Sequence, residues 1–539
     1  MKLKSIFASL VMTAALFSSC DRDVNDWEVA TGENRLFKPL IFEASTLKPL
    51  IFEASTLKPT SIQIKHTKVV DAANYVFEFS KDADFATIDK SVVILADTLT
   101  PFADSNTAMK VEYRTWFEGL DGTTNYWVRM HAENADASLK SKLSSFTFIT
   151  PAEQIFRSYR PTVNSLTFLW EETDRVTNLV LMNEDSTVVE NRVLTTAEIQ
   201  NAAATFEGLD MGVPYIAQIF YNEVLRGTLN TKTSGSSGSL IFNINIPGIT
   251  AEDISTALAG HAAEGTKKVT VNFASGMEFN MEGTITIPTG IQDISFVGSE
   301  NANGKLSQLN KVYFAIESEV NDVNFEYLSM NSDGGFMFQV GAQKFHDITF
   351  EGCEVKQVNS AVRLHSGAEG NSVNFNNCWV SNTGGWSFLN VGSGCTIPAI
   401  NVTNSTLTEF NTRIADIRVK TDIKFKNVTL VNIAEKMTHL WLLDNNSKPT
   451  VTIENCIFAG PNGGQKLHST NGNYSNVTIS YGGSYKTNDL IEDSRPLDDI
   501  TVVNLDIYGL FVDPANGDFH IKQGAGFAGT GVAGDPRWF

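Results

Sequence analysis

The sequence repeats a short pattern of apolar and polar positions about every 25 residues between Val323 and Val451. Each copy has a β-branched anchor, a large apolar residue two positions later, and another apolar residue seven positions after the anchor. Because strand side chains alternate between two faces, the anchor and the second apolar residue share one face, and the polar residue between them faces water. The anchors are Val323, Ile348, Val373, Ile400, Ile423 and Val451, and looser copies begin at Val269 and Ile294.

This periodicity predicts a solenoid of stacked coils, since β-rich repeats of this length bury their apolar face only by stacking on their neighbours. From the eight anchors we expect at least eight coils of a parallel β-helix. A leucine-rich repeat has a similar period, but it requires recurrent Leu, and here Phe, Val and Ile fill the inward positions. The predicted fold class is therefore all-β.

Two further columns follow the same register. Four coils place an Asn four positions after the anchor, where stacked amides can hydrogen-bond along the solenoid. Three coils place a Cys at the next position, which suits either a disulfide or metal site or a column of small buried side chains. The second interpretation is favoured, because a C-x-x-C or Cys/His cluster with ligand spacing is missing, and Cys395 is expected to be a free thiol. The columns are Asn377, Asn404, Asn427 and Asn455, and Cys353, Cys378 and Cys456.

An internal repeat with an offset of 89 residues precedes the solenoid. FEGLDGTTNYWVRM begins at Phe117, and FEGLDMGVPYIAQI begins at Phe206. In each copy a Leu precedes a turn, and a Tyr, Tyr126 or Tyr215, follows six residues after that Leu. This arrangement resembles the tyrosine corner of fibronectin type III domains, and Trp170 in SLTFLWEE is similar to the core Trp of that family. We expect two β-sandwiches that act as spacers.

Several shorter segments lie between the predicted domains or at their ends. Thr233–Ser239, TSGSSGS, has the composition of a flexible linker and predicts a hinge. Thr250 and Asp253 form a T-x-x-D box, which predicts a short helix that caps the start of the solenoid. The Gly-rich ending is expected to cover the last coils. PLIFEASTLK occurs in tandem at 39–48 and 49–58, and we expect the second copy to form the first sandwich strand.

The first twenty residues predict an export signal. Lys2 and Lys4 precede an apolar run from Ile6 to Phe17, and FSSC follows it with Cys20 as its last residue. FSSC resembles a bacterial lipobox, although Phe17 stands where Leu is usual; an ordinary cleavage site with an incidental Cys is the alternative. A lipidated Cys20 followed by the acidic DRDVNDWE resembles the surface-export signal of Bacteroidetes lipoproteins. The resemblance implies a lipid anchor in the outer membrane, facing the cell exterior.

We therefore expect several domains, as the length of 539 residues also suggests. The formal net charge of −20 argues against nucleic acid and anionic membrane surfaces as partners. The expected segments are a lipoprotein signal peptide (1–19), a lipid anchor and tether (20–37), a first fibronectin-like domain (38–151), a second fibronectin-like domain (152–234), a linker (235–239), a parallel β-helix (240–510) and a C-terminal capping tail (511–539).

The lipobox, the paired tyrosine corners, the Phe/Asn/Cys coils and the DPRW ending together resemble one family of Bacteroidetes surface lipoproteins. Its members have fibronectin type III-like modules and a pectate-lyase-like right-handed parallel β-helix of the DUF4957/DUF5123 type. The resemblance covers nearly the whole chain, but its motifs specify architecture more than activity. It implies work on plant cell-wall polysaccharide, pectin above all.

Outward side chains of a β-helix form rows along the stack, so binding groups should come from matching positions of neighbouring coils. The second strand of each coil, roughly 13–18 residues after its anchor, carries cationic and aromatic side chains. Arg pairs carboxylates bidentately and aromatic rings stack on sugar faces, so such a row suits an acidic sugar chain. An ordinary solvated face with a partly buried Trp is the alternative. The predicted substrate-binding residues are Arg363, His365, Trp386, Arg418, His439 and Trp441.

A polysaccharide lyase would need a base of lowered pKa and usually Ca²⁺ held by several carboxylates. Arg418 and Lys420 are the candidate bases. The sequence lacks the WIDH-like and Arg-x-Pro-x-x-Arg segments of calcium pectate lyases and the clustered Asp pairs of polygalacturonases. The candidate calcium ligands are Asp416, Asp422 and Asp444.

Three functions remain open. The first is a surface lipoprotein that binds acidic, pectin-class polysaccharide and captures it for a neighbouring outer-membrane import complex. The others are a calcium-assisted polysaccharide lyase and a structural or adhesive surface protein. Missing catalytic motifs favour binding. The three differ in whether the cationic and aromatic side chains share one face of the solenoid.

Overall fold

The structure is a computed structural model that describes residues 42–44, 59–69, 71–101, 111–432, 441–461, 467–469, 476–490 and 500–539. Cys20, the tether and His439 lie outside these residues. Contacts divide the chain into two compact units, Met1–Gln154 with Phe220–Gly227, and Ile155–Ile219 with Thr228–Phe539. The described residues are nearly all in β-strands and their connections, as the sequence predicted.

The first sandwich consists of the antiparallel sheets β1-β2-β5 and β4-β3-β6-β7. Its core contains Ile64, Phe77, Phe79 and Val128, all fully shielded from solvent. The short strand β1 belongs to the first copy of the tandem repeat, whereas we expected the second copy, which lies outside the described residues. The strands are β1 (Phe42–Ala44), β2 (Ile62–Thr67), β3 (Asn74–Ser80), β4 (Lys90–Leu95), β5 (Glu112–Phe117), β6 (Asn125–Glu133) and β7 (Ser144–Ile149).

The second sandwich pairs the antiparallel sheets β12-β9-β8 and β11-β10-β13-β14. Trp170 is 1% exposed and belongs to the same buried cluster as Phe168 and Phe206, in agreement with its predicted core position. The elements are β8 (Phe156–Pro161), β9 (Ser165–Trp170), β10 (Asn178–Asn183), β11 (Val188–Val193), α1 (Thr196–Asn201), β12 (Ala203–Glu207), β13 (Pro214–Tyr221) and β14 (Val224–Lys232).

Each sandwich contains the hydrogen bond that defines a tyrosine corner. The backbone N–H of Asp121 donates to the hydroxyl of Tyr126 at 3.0 Å, and the N–H of Asp210 donates to Tyr215 at 3.2 Å. Both tyrosine rings are buried. The internal repeat in the sequence therefore marks the same corner in two copies of one fold.

The remaining sheet has 24 strands and winds into a parallel solenoid of about 9 turns. The strands are β15 (Leu240–Ile244), β16 (Lys268–Phe273), β17 (Glu278–Ile287), β18 (Asp293–Val297), β19 (Ser307–Ile316), β20 (Val320–Glu326), β21 (Leu328–Asn331), β22 (Phe336–Val340), β23 (Phe345–Glu351), β24 (Glu354–Val358), β25 (Ser360–Leu364), β26 (Ser372–Asn376), β27 (Trp379–Thr383), β28 (Leu389–Val391), β29 (Ala399–Phe410), β30 (Ala415–Ile417), β31 (Asp422–Val431), β32 (Trp441–Leu443), β33 (Thr450–Glu454), β34 (Ile457–Ala459), β35 (Leu467–Ser469), β36 (Thr478–Gly482), β37 (Tyr485–Thr487) and β38 (Thr501–Val503).

The predicted anchors pair with one another in register from coil to coil, from Val269 with Ile294 through to Ile423 with Val451. The apolar residues two positions later stack as well. The rings of Phe325 and Phe350 are 4.5 Å apart, and those of Phe350 and Phe375 are 4.3 Å apart and nearly parallel. One sequence repeat is therefore one coil.

A typical coil has three strands. The coil that begins at β23 continues through β24 to β25. The cationic segments predicted on a second strand therefore lie on the third one. We call β22, β25, β28, β30 and β32 the third strands; each pairs in parallel with the next.

The Asn column has a backbone cause that the sequence did not show. The residues four positions after successive anchors have φ between +49° and +62°, the left-handed conformation that Gly adopts freely and Asn tolerates. The predicted amide ladder also forms in part, since Asn427 Nδ2 donates to Asn404 Oδ1 at 2.8 Å. The column consists of Tyr327, Gly352, Asn377, Asn404, Asn427, Asn455 and Gly483.

The four described cysteines are free and buried. Burial raises the pKa of Cys378 and of Cys456 to about 12. Both Sγ atoms lie near backbone carbonyl oxygens, to which a thiol can donate. These residues therefore behave as small apolar side chains, the interpretation that the sequence favoured.

Helix α2 (Ala251–Ala263) covers the start of the solenoid as predicted. Thr250 and Asp253 form a reciprocal capping box in which each side chain accepts from the other residue's backbone N–H. Ile254 and Leu258 are fully buried in the same core cluster as the first coils. The helix thereby shields apolar side chains that no preceding coil could cover.

The Gly/Ser segment is not the flexible hinge that its composition suggested. Gly235 N–H donates to the Glu326 carboxylate at 3.0 Å, and Ser236 Oγ lies 2.8 Å from Ser295 Oγ. Ser239 Oγ also lies 2.6 Å from Thr270 Oγ1. Small residues here allow the backbone to approach the outward face of the first coils and bind it.

The C-terminal tail contains α3 (Ile507–Leu510), β39 (Phe511–Asp513) and β40 (Asp518–Ile521). It packs along the middle strands of successive coils. Trp538 lies edge-on to Trp379 at 5.6 Å, and its Nε1–H donates to Thr406 at 2.7 Å. Asp535, 1% exposed, accepts from Thr406 and from Arg537.

The stacked rings give a first prediction. Replacing Phe350 by Ala should lower the free energy of unfolding of the solenoid by about 3–5 kcal/mol, because a large cavity opens between two neighbouring rings. Lys424→Ala, on an outward position of an equivalent strand, should cost less than about 1 kcal/mol. Chemical denaturation of both variants measures this, and equal losses would contradict the stack as a source of stability.

A second prediction concerns pH. Burial raises the pKa of Asp535 to about 6 from an ordinary 3.8, so the unfolded chain ionises more readily and folded-state stability falls as pH rises through this range. Asp535→Asn removes this loss of folding stability, which amounts to about 3 kcal/mol. Its melting temperature relative to the parent should therefore improve between about pH 4 and about pH 8.

Asp518→Asn in the same tail is the matched control of opposite sign. His520 and its backbone N–H lower the pKa of Asp518, so ionised Asp518 favours the folded state. Because the lowered pKa lies below the ordinary 3.8, the deficit of Asp518→Asn should develop as pH rises to about 4 and then stay nearly constant while Asp535→Asn gains. A pH response of the same sign in both variants would contradict the assignment.

Candidate functional site

The third strands carry a row of polar side chains on their outward side. Parallel register places Gln339 beside Arg363, Arg363 beside Asn390, and Asn390 beside Asp416. Val362, Leu364 and Ile417 alternate with this row and are buried. The row therefore results from the same inward and outward alternation that builds the core.

Arg363 packs against two aromatic rings. Its guanidinium carbon lies 4.5 Å from the centre of the Phe336 ring and 4.8 Å from the Trp386 ring. The two rings meet edge to face at 5.6 Å. Trp386 remains 47% exposed, so one side of this cluster is open to a ligand.

The Arg363 side chain retains unused hydrogen-bonding capacity. One terminal nitrogen donates to Gln339 Oε1 at 3.2 Å, whereas Nε is buried and has no hydrogen-bond partner within the described structure. The N–H donors of a guanidinium point outward in its own plane when its face packs on an aromatic ring. Any donor that Arg363 offers to an anion beside Trp386 is therefore a terminal nitrogen.

Two further arginines surround a buried carboxylate two coils further on. Arg418 binds Asp416 through both Nε and Nη2, and Arg413 Nη1 lies 3.8 Å from the same carboxylate. Arg413 also reaches the carbonyl of Gly385, next to Trp386. We call the outward side chains of Phe336, Arg363, Trp386, Arg413 and Arg418 the arginine–tryptophan face. Its three guanidinium groups outnumber the carboxylates of Asp416 and Asp444, whose charges both act on Arg418, so the face is positively charged.

His365 follows Arg363 on the same side of the strand. Its ring Nδ1 lies 2.8 Å from Ser366 Oγ. Burial, together with the charge of Arg363, lowers the pKa of His365 below its ordinary value. At neutral pH this residue is therefore a hydrogen-bonding group and adds no positive charge.

Trp441 does not belong to this face, contrary to the prediction. It is fully buried and pairs in register with the inward residue Ala415. Its ring packs against Phe425 and Phe458 at 5.6 and 6.4 Å. In the segment THLWLLD, either of the two alternating sets of side chains contains apolar residues that could face inward. The prediction chose the wrong set, so it placed Trp441 on the outward face. His439 lies outside the described residues.

The structure brings the candidate base Arg418 close to two candidate calcium ligands, but as an ion pair. Arg418 hydrogen-bonds Asp416, and the charge of Asp444 also acts on it. The hydrogen bond to Asp416 raises the pKa of Arg418, the opposite of what a base requires. Asp444 caps a short turn, Asp422 lies at the start of β31, and exposed Lys420 lines a shallow depression with Asp422. Arg418 is therefore unsuited to act as the base of a lyase, and Asp416 already has a cation as its partner.

Among the described residues, a different trio has the spacing of a metal site. Ligand atoms of Asp322, His346 and Asp347 lie within 4.8 Å of one another. The three lie on the first strands of two coils, and His346 is exposed. Exposed carboxylates of this kind are common without a metal, so the trio is a weak candidate for Ca²⁺.

Sequence reasoning missed Phe336, Arg413 and the pairing of Asp416. Phe336 lies one coil before the first predicted residue, and the 24-residue step from Gln339 to Arg363 could have revealed that coil. Arg413 lies in the loop before β30, where no strand alternation applies. Its role depends on the conformation of the neighbouring loop that carries Trp386.

One family model and several solved structures are similar to parts of this chain. Residues 423–538 match a family model described as a domain of unknown function, DUF5123. A search of curated proteins found no match. A two-domain fibronectin type III segment from chicken tenascin is 16% identical with a TM-score of 0.23, over 36% of this chain and 99% of that one.

A family 28 exopolygalacturonase from Yersinia enterocolitica is 11% identical with a TM-score of 0.23, over 66% of this chain and 99% of that one. At these identities the likenesses concern fold alone. None of the helices in the described ranges is long and apolar enough to cross a membrane.

Proposed function

We propose that this protein is a surface lipoprotein that binds acidic polysaccharide of the pectin class through the arginine–tryptophan face. One observation supports this above the others: the Arg363 guanidinium packs against both Phe336 and the half-exposed Trp386. A charged donor and a sugar-stacking ring lie side by side in that cluster. These are the two groups that an acidic sugar requires.

The charge of the face selects the ligand. The chain as a whole carries −20, so it repels polyanions except where cations gather. Arg363 and, two coils further on, Arg413 and Arg418 gather on one side of the solenoid. A uronate carboxylate can accept hydrogen bonds from a guanidinium while its ring lies on Trp386. Neutral polysaccharides would use the ring alone and bind more weakly.

The linear arrangement suits a chain better than a single sugar. Neighbouring coils repeat every 4.8 Å or so, and a polysaccharide lying along the solenoid meets equivalent positions on each. Each single contact with the polysaccharide then contributes little affinity, whereas the contacts together give specific binding, as in other multivalent recognition. Capture for a neighbouring import complex is the role that fits such binding.

Affinity electrophoresis tests the face directly. Polygalacturonate in the gel should retard the parent protein, and Arg363→Ala or Trp386→Ala should each weaken retardation about tenfold, since stacked cation contacts contribute roughly 1–2 kcal/mol. Added salt should also weaken it. Trp116→Ala removes an equally exposed Trp, 39% exposed, from the first sandwich and is the matched control.

Two outcomes would contradict the proposal. Retardation by no acidic glycan would leave the structural or adhesive alternative, and equal effects of Trp116→Ala and Trp386→Ala would remove the face as the site. Release of unsaturated uronate, followed by ultraviolet absorbance with calcium present, would instead indicate the lyase alternative. That product should be absent, because Asp416 keeps Arg418 protonated.

The anchor can be tested independently. Cys20→Ser should abolish incorporation of labelled fatty acid and release the protein from the membrane fraction, because a diacylglyceryl group plus an N-acyl chain supplies the attachment. The parent should remain with the outer membrane and be accessible to protease on intact cells. Unchanged membrane association of Cys20→Ser would favour an ordinary cleavage site.

A further inference from the structure

A second site lies on another side of the solenoid, where the second sandwich and the first strands enclose a cavity of about 300 Å³. Both walls belong to one compact unit. The connector Thr233–Ser239 forms part of the cavity wall and is held by the Glu326 carboxylate. Arg160 of β8 also binds Glu300 at 2.6 Å, so the two walls are fixed to each other. We call this space the junction cavity.

The solenoid wall presents two acidic side chains from adjacent coils. Glu326 and Glu351 pair in register, and the next position along the same column is Asn376. Asn376 Nδ2 donates to Glu351 at 2.8 Å. Burial raises the pKa of Glu351 to about 7 and raises that of Glu326. These carboxyl groups therefore face an enclosed space that excludes much of the surrounding water.

Both walls supply aromatic or hydroxyl groups. Tyr159 of β8, on the sandwich wall, hydrogen-bonds Tyr327 of the solenoid wall. Asn324 and Thr349 of the solenoid complete the polar lining. Carboxyl, amide, phenol and hydroxyl groups thus converge on one space.

The chemistry of the lining selects among ligands. Vicinal hydroxyls of a sugar donate to carboxylates and accept from amides and phenols, while tyrosine rings contact the sugar face. Above the raised pKa of Glu351, about 7, its ionised carboxylate would repel a uronate. Lys232 on the lining lowers the pKa of both carboxyl groups and opposes a second cation, which argues against a metal. A volume of about 300 Å³ is at the small end for ligand pockets and suits one or two sugar rings.

We propose that the junction cavity binds a neutral sugar residue, either free or at the end of a glycan. The preference is the reverse of that of the arginine–tryptophan face, which is positively charged. The two sites lie on different strands of the coils and share no residue. The inference does not depend on the function proposed for the other face, and the two can fail separately.

Saturation-transfer NMR and calorimetry with D-galactose, L-arabinose, D-xylose and L-rhamnose as probes test the cavity in the full-length protein. At least one neutral sugar should bind, and D-galacturonate should bind at least about tenfold more weakly. Glu351→Gln keeps the shape but removes the charge, and it should weaken the neutral sugar about tenfold. Trp386→Ala should leave this binding unchanged.

A filling variant separates binding from folding. Thr349→Phe places a ring in the cavity while both acidic residues stay in the chain, and it should abolish binding. Thr452→Phe, in the same outward column four coils further on, is its matched control and should bind as the parent does. The proposal is overturned if none of the four neutral sugars binds, if D-galacturonate binds as tightly, or if both filling variants lose binding equally.

Discussion

In-register stacking of parallel coils is the constraint on which the rest of this structure depends. Phe296, Phe325, Phe350 and Phe375 are stacked with ring separations of 5.4, 4.5 and 4.3 Å, and the backbone ladders on either side keep the same register. The register determines the arrangement of surface side chains as well as that of the core. Because every inward column of side chains has an outward neighbour, each surface row follows from the same strand pairing.

The repeat was visible in sequence because stacking imposes one inward residue type at one position on every coil. Anchors, ring positions and the Asn and Cys columns all follow from that rule. In a strand of only three residues, the alternation of apolar and polar residues is too short to show which side chains face inward. Trp441 in β32 shows this, because its neighbours Leu442 and Leu443 allow either face inward. The composition of the segment around Gly235 also led to a wrong prediction of flexibility, because its small residues allow the backbone to pack closely against the solenoid.

The candidate sites depend on contacts between residues far apart in sequence. Phe336 and Trp386 are separated by 50 positions and meet only because each flanks the coil of Arg363. Glu326 and Glu351 occur 25 positions apart, as the period requires, but their burial depends on Tyr159 in the preceding sandwich. Sequence periodicity could therefore predict rows of side chains. Which segment covers a row, and which remains open, required the structure.

The buried cysteine column has a consequence for where such a chain can fold. Thiol exchange proceeds through the thiolate, and a thiol with a pKa near 12 is almost wholly protonated at neutral pH. Cys353 and Cys378 lie on adjacent coils, yet in the folded state neither can readily attack an oxidant or the other. Folding therefore protects this cysteine column from the redox potential around it. Oxidative damage to this column would report unfolding, not exposure to an oxidising compartment.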